Sequence, residues 1–142
     1  MKFSEVGAEM HLKKTIKDER GQTMTEFAFV LPILLVVLFG IVQFGIIFNN
    51  YVTLTDAARA ASRKGAVSRA SSDPQGDCQA AGYAAGSNLK NPGTDFVLTC
   101  SSPDWSAGSD VTVTATYPYD IKLLDWVVAS GTLNTTMKER VE

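Results

Sequence analysis

The chain has 142 residues, a formal net charge of −2 and a hydrophobic content of 45%. This length suits one small domain, and the balanced charge excludes the concentrated basic face that nucleic-acid binding needs. Much of the hydrophobic content lies in one run, so the rest of the chain is more polar than the average suggests. The composition therefore predicts a membrane segment with a small folded head.

The first 21 residues form a polar leader of mixed charge, without the apolar periodicity of a packed element. A secretory signal has an apolar core of about 7–15 residues followed by its cleavage site. The apolar run that follows this leader is longer, and the distinctive glycine, Gly21, precedes it. The arrangement therefore disfavours a conventional signal peptide.

The apolar run, Phe27 to Phe48, contains no charged residue, and its one strongly polar side chain is Gln43. At a helical rise of about 1.5 Å per residue it is roughly 33 Å long, enough to cross the hydrocarbon core of a bilayer. We expect a transmembrane helix in contact with lipid. Pro32 removes one backbone hydrogen bond and predicts a kink.

Basic residues are more numerous before the apolar run than in the twenty residues after it, which favours a cytoplasmic amino terminus. The head then lies on the other side, in a periplasmic or extracellular compartment. Both cysteines, Cys78 and Cys100, are on that side. We predict one disulfide between them in this oxidising environment, and the alternative is two free buried thiols.

Helical residues continue beyond the membrane segment to about residue 70. One stripe of this stretch is apolar and built largely of small residues, which suits close packing against a helix or a sheet. A break is predicted over 71–77, a short helix weakened by glycines over 78–89, and a turn at 91–93. The stripe consists of Leu54, Ala58, Ala61 and Gly65.

Alternating apolar residues predict strands over 95–101, 110–119 and 132–141. Pro118 is expected to end the strand pairing or to mark a sheet edge. Residues 121–129 are ambiguous between helix and strand, and could dock on the membrane surface or cover the sheet edge. The predicted class is α+β, with a leader over 1–21, a long helix over 22–70 and a head with a small antiparallel sheet over 71–142.

The sequence disfavours an enzyme. Its one histidine, His11, lies in the leader, so the head cannot form a Ser/His/Asp or Cys/His arrangement by itself. Neither a glycine-rich phosphate loop nor a Cys/His cluster with metal-ligand spacing is present. The scattered aspartates of the head suit loops and turn capping better than a calcium site. We therefore predict no cofactor and no bound metal.

The informative group is Gly21, Gln22 and Glu26 at the entrance to the apolar run. A protease can approach the backbone closely at a glycine, and a cut after Gly21 frees an ammonium group on Gln22. In a bundle of such helices this ammonium could pair with Glu26 of a neighbouring subunit. The simpler alternatives are that Gly21 ends a leader helix and that Glu26 caps the membrane helix.

Gly21, the five-residue step to Glu26 and the apolar run resemble the processing motif of type IV prepilins. The strings RGQTMTEFAFVLPILLVVLFGIVQFG and LTDAARAASRKG are similar to the TadE-like proteins of the tight-adherence, or Flp-type, pilus apparatus. The match covers roughly residues 20–70. The chain departs from the usual small or aliphatic residues between Gly and Glu, because it has Gln22, Thr23, Met24 and Thr25.

The resemblance implies a minor pilin or pseudopilin, cut between Gly21 and Gln22 by a prepilin peptidase on the cytoplasmic side. Glu26 and Phe27 would then serve assembly with other pilins at the inner-membrane assembly platform. The main alternative is an unprocessed single-pass anchor whose head binds a ligand or a cell-wall component. A membrane-tethered accessory enzyme is a third and weaker possibility.

Overall fold

A computed structural model describes residues 12–123 and 126–142, with side chains from Gly21 onward. His11 of the leader and Asp125, one of the scattered aspartates of the head, lie outside the described residues. The chain divides into two compact units, the second of which is Gln43–Glu142. The predicted α+β class is confirmed. In chain order the elements are α1 (Leu12–Val67), α2 (Pro74–Ala85), β1 (Val97–Ser101), β2 (Asp110–Leu123) and β3 (Trp126–Arg140).

Helix α1 begins earlier than the sequence predicts and includes part of the leader. Lysine, glutamate and leucine in this part are good helix formers, so they extend a helix without an apolar stripe. Gly21 therefore lies inside α1, and the alternative that it ends a leader helix is wrong. Pro32 also lies inside α1, and the kink there stays a prediction.

The predicted small-residue stripe of α1 packs into the head. Leu54, Ala58, Ala61 and Gly65 are all buried, which confirms the expected face. A Cβ atom built on Gly65 would lie 3.0 Å from Cγ1 of Val111 on β2. The stripe is small because the sheet approaches the helix closely at this point.

Helix α2 starts at Pro74, inside the segment that the sequence analysis assigned to a break, and α1 already ends at Val67. Asp73 is the N-cap, and its side chain accepts a hydrogen bond of 2.9 Å from the backbone N–H of Gly76. Proline suits the first turn of a helix because the missing N–H would have no helical partner there. Pro74 therefore begins this helix, and the predicted start at residue 78 was too late.

The two glycines that weaken α2 are also its contact points with α1. A Cβ atom on Gly82 would lie 3.1 Å from Cβ of Ala61, and one on Gly86 would lie 3.2 Å from Cβ of Ala57. Gly82 and Gly86 are four residues apart, and so are Ala57 and Ala61. The small residues of the two segments therefore meet along one line. These glycines therefore allow close helix contact.

The sheet is antiparallel with the order β1–β2–β3. The predicted third strand is confirmed and is longer than expected. Pro118 does not end the strand, because it lies within β2 opposite Thr132. The pairing with β1 does stop at Val97 and Thr116, so Pro118 lies where β2 has a neighbour on one side only. Of the ambiguous residues 121–129, those at 121–123 end β2 and those at 126–129 begin β3.

The head is closed by the predicted disulfide. Cys78 of α2 and Cys100 of β1 are bonded and buried. The bond attaches α2 to the sheet. The main core side chains lie beside it and come from the sheet, from α1 and from the loop before β1. The largest of these are Leu54, Phe96, Leu98, Val111 and Val113.

Candidate functional site

The predicted processing residues lie on one exposed turn of α1. The backbone carbonyl of Gly21 accepts a hydrogen bond of 2.8 Å from the hydroxyl of Thr25. The side-chain amide of Gln22 donates to the Glu26 carboxylate over 3.4 Å. The structure therefore brings Gly21, Gln22 and Glu26 together within about one helical turn, and Phe27 follows with its ring exposed.

Packing does not explain the glycine at position 21. A Cβ atom built there meets nothing within 4 Å, so a larger side chain would fit. Glycine in a helix interior is less stable than alanine by about 1 kcal/mol, and threonine at position 25 is also a weak helix former. Glycine therefore lowers the helix propensity of this turn without a packing reason for its presence.

Nearly every side chain of the apolar run is exposed when the chain stands alone. From Phe27 to Phe48 all residues are exposed except Gln43 and Ile47, which are half-buried. By length and composition, one helix in the described part of the chain could cross a membrane, and its apolar window has no buried residue. An exposed apolar surface of this size needs lipid or other helices to cover it.

Gln43 has a partner that the sequence did not indicate. Its side-chain amide donates a hydrogen bond of 3.2 Å to the backbone carbonyl of Lys122 at the far end of β2. The sequence marks Gln43 only as the one strongly polar side chain of the apolar run. These residues are 79 positions apart, and nothing in the local pattern at either position indicates the contact.

A cleft of about 290 Å³ lies beside this hydrogen bond, between α1 and β2. Its lining mixes apolar and aromatic side chains with amide, carboxylate and ammonium groups. Among the described residues, no three His, Cys, Asp or Glu side chains are grouped closely enough to hold a metal ion. The lining residues are Gln43, Ile46, Ile47, Asn50, Asp95, Tyr117, Pro118, Tyr119, Asp120 and Lys122.

Among the described residues outside the membrane segment, one titratable group has a shifted pKa. Asp104, in the loop before β2, accepts hydrogen bonds from the hydroxyl and the backbone N–H of Ser106 at 2.7 and 3.2 Å. Both bonds favour the charged form, so they lower the pKa of the Asp104 carboxyl. This aspartate stabilises a turn, which agrees with the expected role of the head's aspartates.

Comparison with known proteins finds a family match over the entrance motif and the helix. Residues 21–63 match the family model described as TadE-like protein. No curated protein and no solved structure matches the chain significantly. The matched segment begins at Gly21, contains Glu26 and the apolar run, and includes most of the small-residue stripe. The predicted resemblance to the TadE-like family is therefore confirmed over residues 21–63.

Proposed function

We propose that the chain is a minor pilin or pseudopilin of a tight-adherence type pilus, processed by a prepilin peptidase between Gly21 and Gln22. It is a structural subunit without a catalytic role, anchored in the inner membrane with a cytoplasmic amino terminus. The observation that carries this proposal is the contrast between the two parts of α1. From Phe27 to Val42 the apolar run is exposed all round, whereas one face from Leu54 onward is buried in the head.

This contrast suits a subunit that moves from a membrane into a filament. A helix that is apolar on every side is covered either by lipid or by neighbouring helices, and both coverings have similar polarity. The small-residue stripe holds the head on the other end of the same helix. The helix can therefore exchange lipid for other pilins while the head keeps its own core.

Glu26 supports the processing step. In the uncut chain its described partner is the neutral amide of Gln22, which does not balance a charge. A carboxylate at the edge of a membrane segment is unfavourable without a partner, and such a charge usually marks a functional contact. A cut after Gly21 would place an ammonium on Gln22, and this group can pair with Glu26 of an adjacent subunit.

The disulfide supports the proposed orientation of the head. Structural disulfides form and persist in the periplasm and outside the cell, and are rare in the cytosol. The Cys78–Cys100 bond lies in the head, beyond the apolar run from the leader. A head outside the cytoplasm and a leader within it place Gly21 on the side where the proposed peptidase acts.

The test is co-expression of the full chain with a prepilin peptidase, followed by mass spectrometry of the amino terminus. We expect Gln22 to become the first residue, and Gly21→Ala to abolish the cut. Gly40→Ala is the matched control, because a Cβ atom at either glycine of α1 meets nothing within 4 Å. Processing of Gly40→Ala should be normal.

The alternative, an unprocessed anchor with a binding head, predicts a different outcome. In that case the leader stays attached with the peptidase present, and Gly21→Ala has no effect. A chain that keeps residues 1–21 in a strain that makes tight-adherence pili would contradict the proposed processing. Recovery of the processed chain with sheared pili would support its place as a pilus subunit.

A further inference from the structure

The paired ends of β2 and β3 extend well beyond β1 as a two-stranded ribbon, residues 117–123 and 126–133. Seven residues at about 3.3 Å each make this extension roughly 23 Å long. Two strands alone are marginally stable in water. The ribbon needs support from another part of the molecule or from its surroundings.

Helix α1 supplies part of this support. Gln43 is bonded to Lys122, and Gln43, Ile47 and Asn50 are the half-buried residues on this part of the helix. Their spacing of four and three places them on one helix face, which continues to the buried Leu54. The ribbon therefore follows the head-proximal end of the apolar run.

The end of the ribbon carries an unusual group of exposed apolar side chains. Trp126, Val127 and Val128 are consecutive, and they are 82%, 56% and 66% exposed. Neighbouring residues of a strand point to opposite faces of the sheet, so three consecutive apolar residues place apolar side chains on both faces. An irregularity in the register after Ile121 leaves Val128 without a directly opposite residue. The apolar group, the tip segment Trp126–Val128, therefore occupies both faces.

The position of the tip segment indicates what covers it. Gln43 is five residues before Phe48, the end of the apolar run, so Lys122 lies about 7.5 Å inside that end along the helix axis. Amphipathic segments at a membrane surface insert by about 5–10 Å, and tryptophan is enriched at this depth. If α1 crosses a bilayer as proposed above, the tip segment lies at the head-side interface of that bilayer.

We propose that the tip segment inserts into the lipid interface on the head side of the membrane and forms a second attachment beside α1. This inference rests on the membrane-spanning part of the proposed function, but not on processing at Gly21. A second subunit covering the tip segment is the competing outcome.

The test uses the full chain in vesicles of phosphatidylethanolamine and phosphatidylglycerol, with Trp105→Phe so that Trp126 is the single tryptophan. We expect a blue-shifted emission and a loss of intensity with lipids brominated near the head-group end of the acyl chains. The matched control is Trp126→Phe, which leaves Trp105, half-buried against the head core. Lipid bromines should not quench it.

Each outcome decides between the alternatives. If Trp126 emits as in water and is not quenched while the protein floats with the vesicles, the tip proposal is wrong and the membrane span stands. If its emission shifts only at a high protein-to-lipid ratio, without quenching by lipid, a second subunit covers the tip and the proposal also fails. If the chain does not float with vesicles, the proposed span fails together with the tip.

Discussion

The side-chain amide of Gln43 lies 3.2 Å from the backbone carbonyl oxygen of Lys122 and donates a hydrogen bond to it. This contact joins the one strongly polar residue of the apolar run to the end of β2. A polar side chain in a membrane helix usually needs a partner, because an unpaired amide in an apolar environment is unfavourable. Gln43 is therefore an attachment point for the ribbon.

Replacing Gln43 should loosen the ribbon. Gln43→Leu keeps the approximate size and removes the donor, which should be worth about 0.6–1 kcal/mol. We expect trypsin to cut after Lys122 roughly three- to fivefold faster in the detergent-solubilised chain, because the local opening becomes easier. Cleavage after the exposed Lys90 is the internal control and should not change. An equal rate at Lys122 would show that this bond does not hold the ribbon.

Glu26 should be required for assembly and not for insertion. Glu26→Ala removes a charge that is unfavourable in a membrane by a few kcal/mol, so insertion should persist while the subunit disappears from sheared pili. Gln22→Ala is the matched control, because it removes the amide that contacts Glu26 and leaves the proposed new ammonium in place. Normal incorporation of Glu26→Ala would remove the argument for pairing between subunits.

The glycines of α2 should be sensitive to any added side chain. In Gly82→Ala the new methyl group would overlap Leu98 and approach Ala61, and overpacking of this kind is unfavourable by about 1–3 kcal/mol. This effect exceeds the gain of about 1 kcal/mol in helix propensity.

We therefore expect a lower midpoint for the thermal unfolding of the head of Gly82→Ala, measured by circular dichroism on the full chain in detergent. Ala84→Leu adds volume at an exposed position of the same helix and should change the stability by less than about 0.5 kcal/mol. A midpoint of Gly82→Ala equal to that of wild type would mean that α2 can move away from α1 without loss of stability.

The disulfide should contribute substantially to the stability of the head. Its cysteines are 22 positions apart, and closing a loop of this length is worth about 3 kcal/mol in the chain-entropy model. The double variant Cys78→Ala with Cys100→Ala avoids placing hydroxyl groups in the core. We expect the double variant to have a lower unfolding midpoint than wild type, and reductant should not change it. Reductant should lower the midpoint of wild type. Equal midpoints for oxidised and reduced wild type would contradict this.

Local patterns in the sequence predicted the main elements and the entrance motif. The apolar run, the small-residue stripe and the alternation in the strands are repeated over several residues, so each signal is strong without knowledge of distant contacts. The spacing of Gly21 and Glu26 is also local, and the family match begins at this motif. Pro74 was interpreted wrongly because proline suits both a break and the first turn of a helix.

The sequence by itself determined a long helix with an exposed apolar run, a head of α+β class and the two cysteines that pair. Only the tertiary structure showed that Gly82 and Gly86 meet Ala57 and Ala61, and that Gln43 holds the end of β2. These contacts join residues far apart in the chain, and their partners depend on how the elements pack. The tip segment shows the difference best. The sequence left its residues ambiguous between helix and strand, and between the membrane surface and the sheet edge, and the register of β2 and β3 with the bond to Gln43 favoured the membrane.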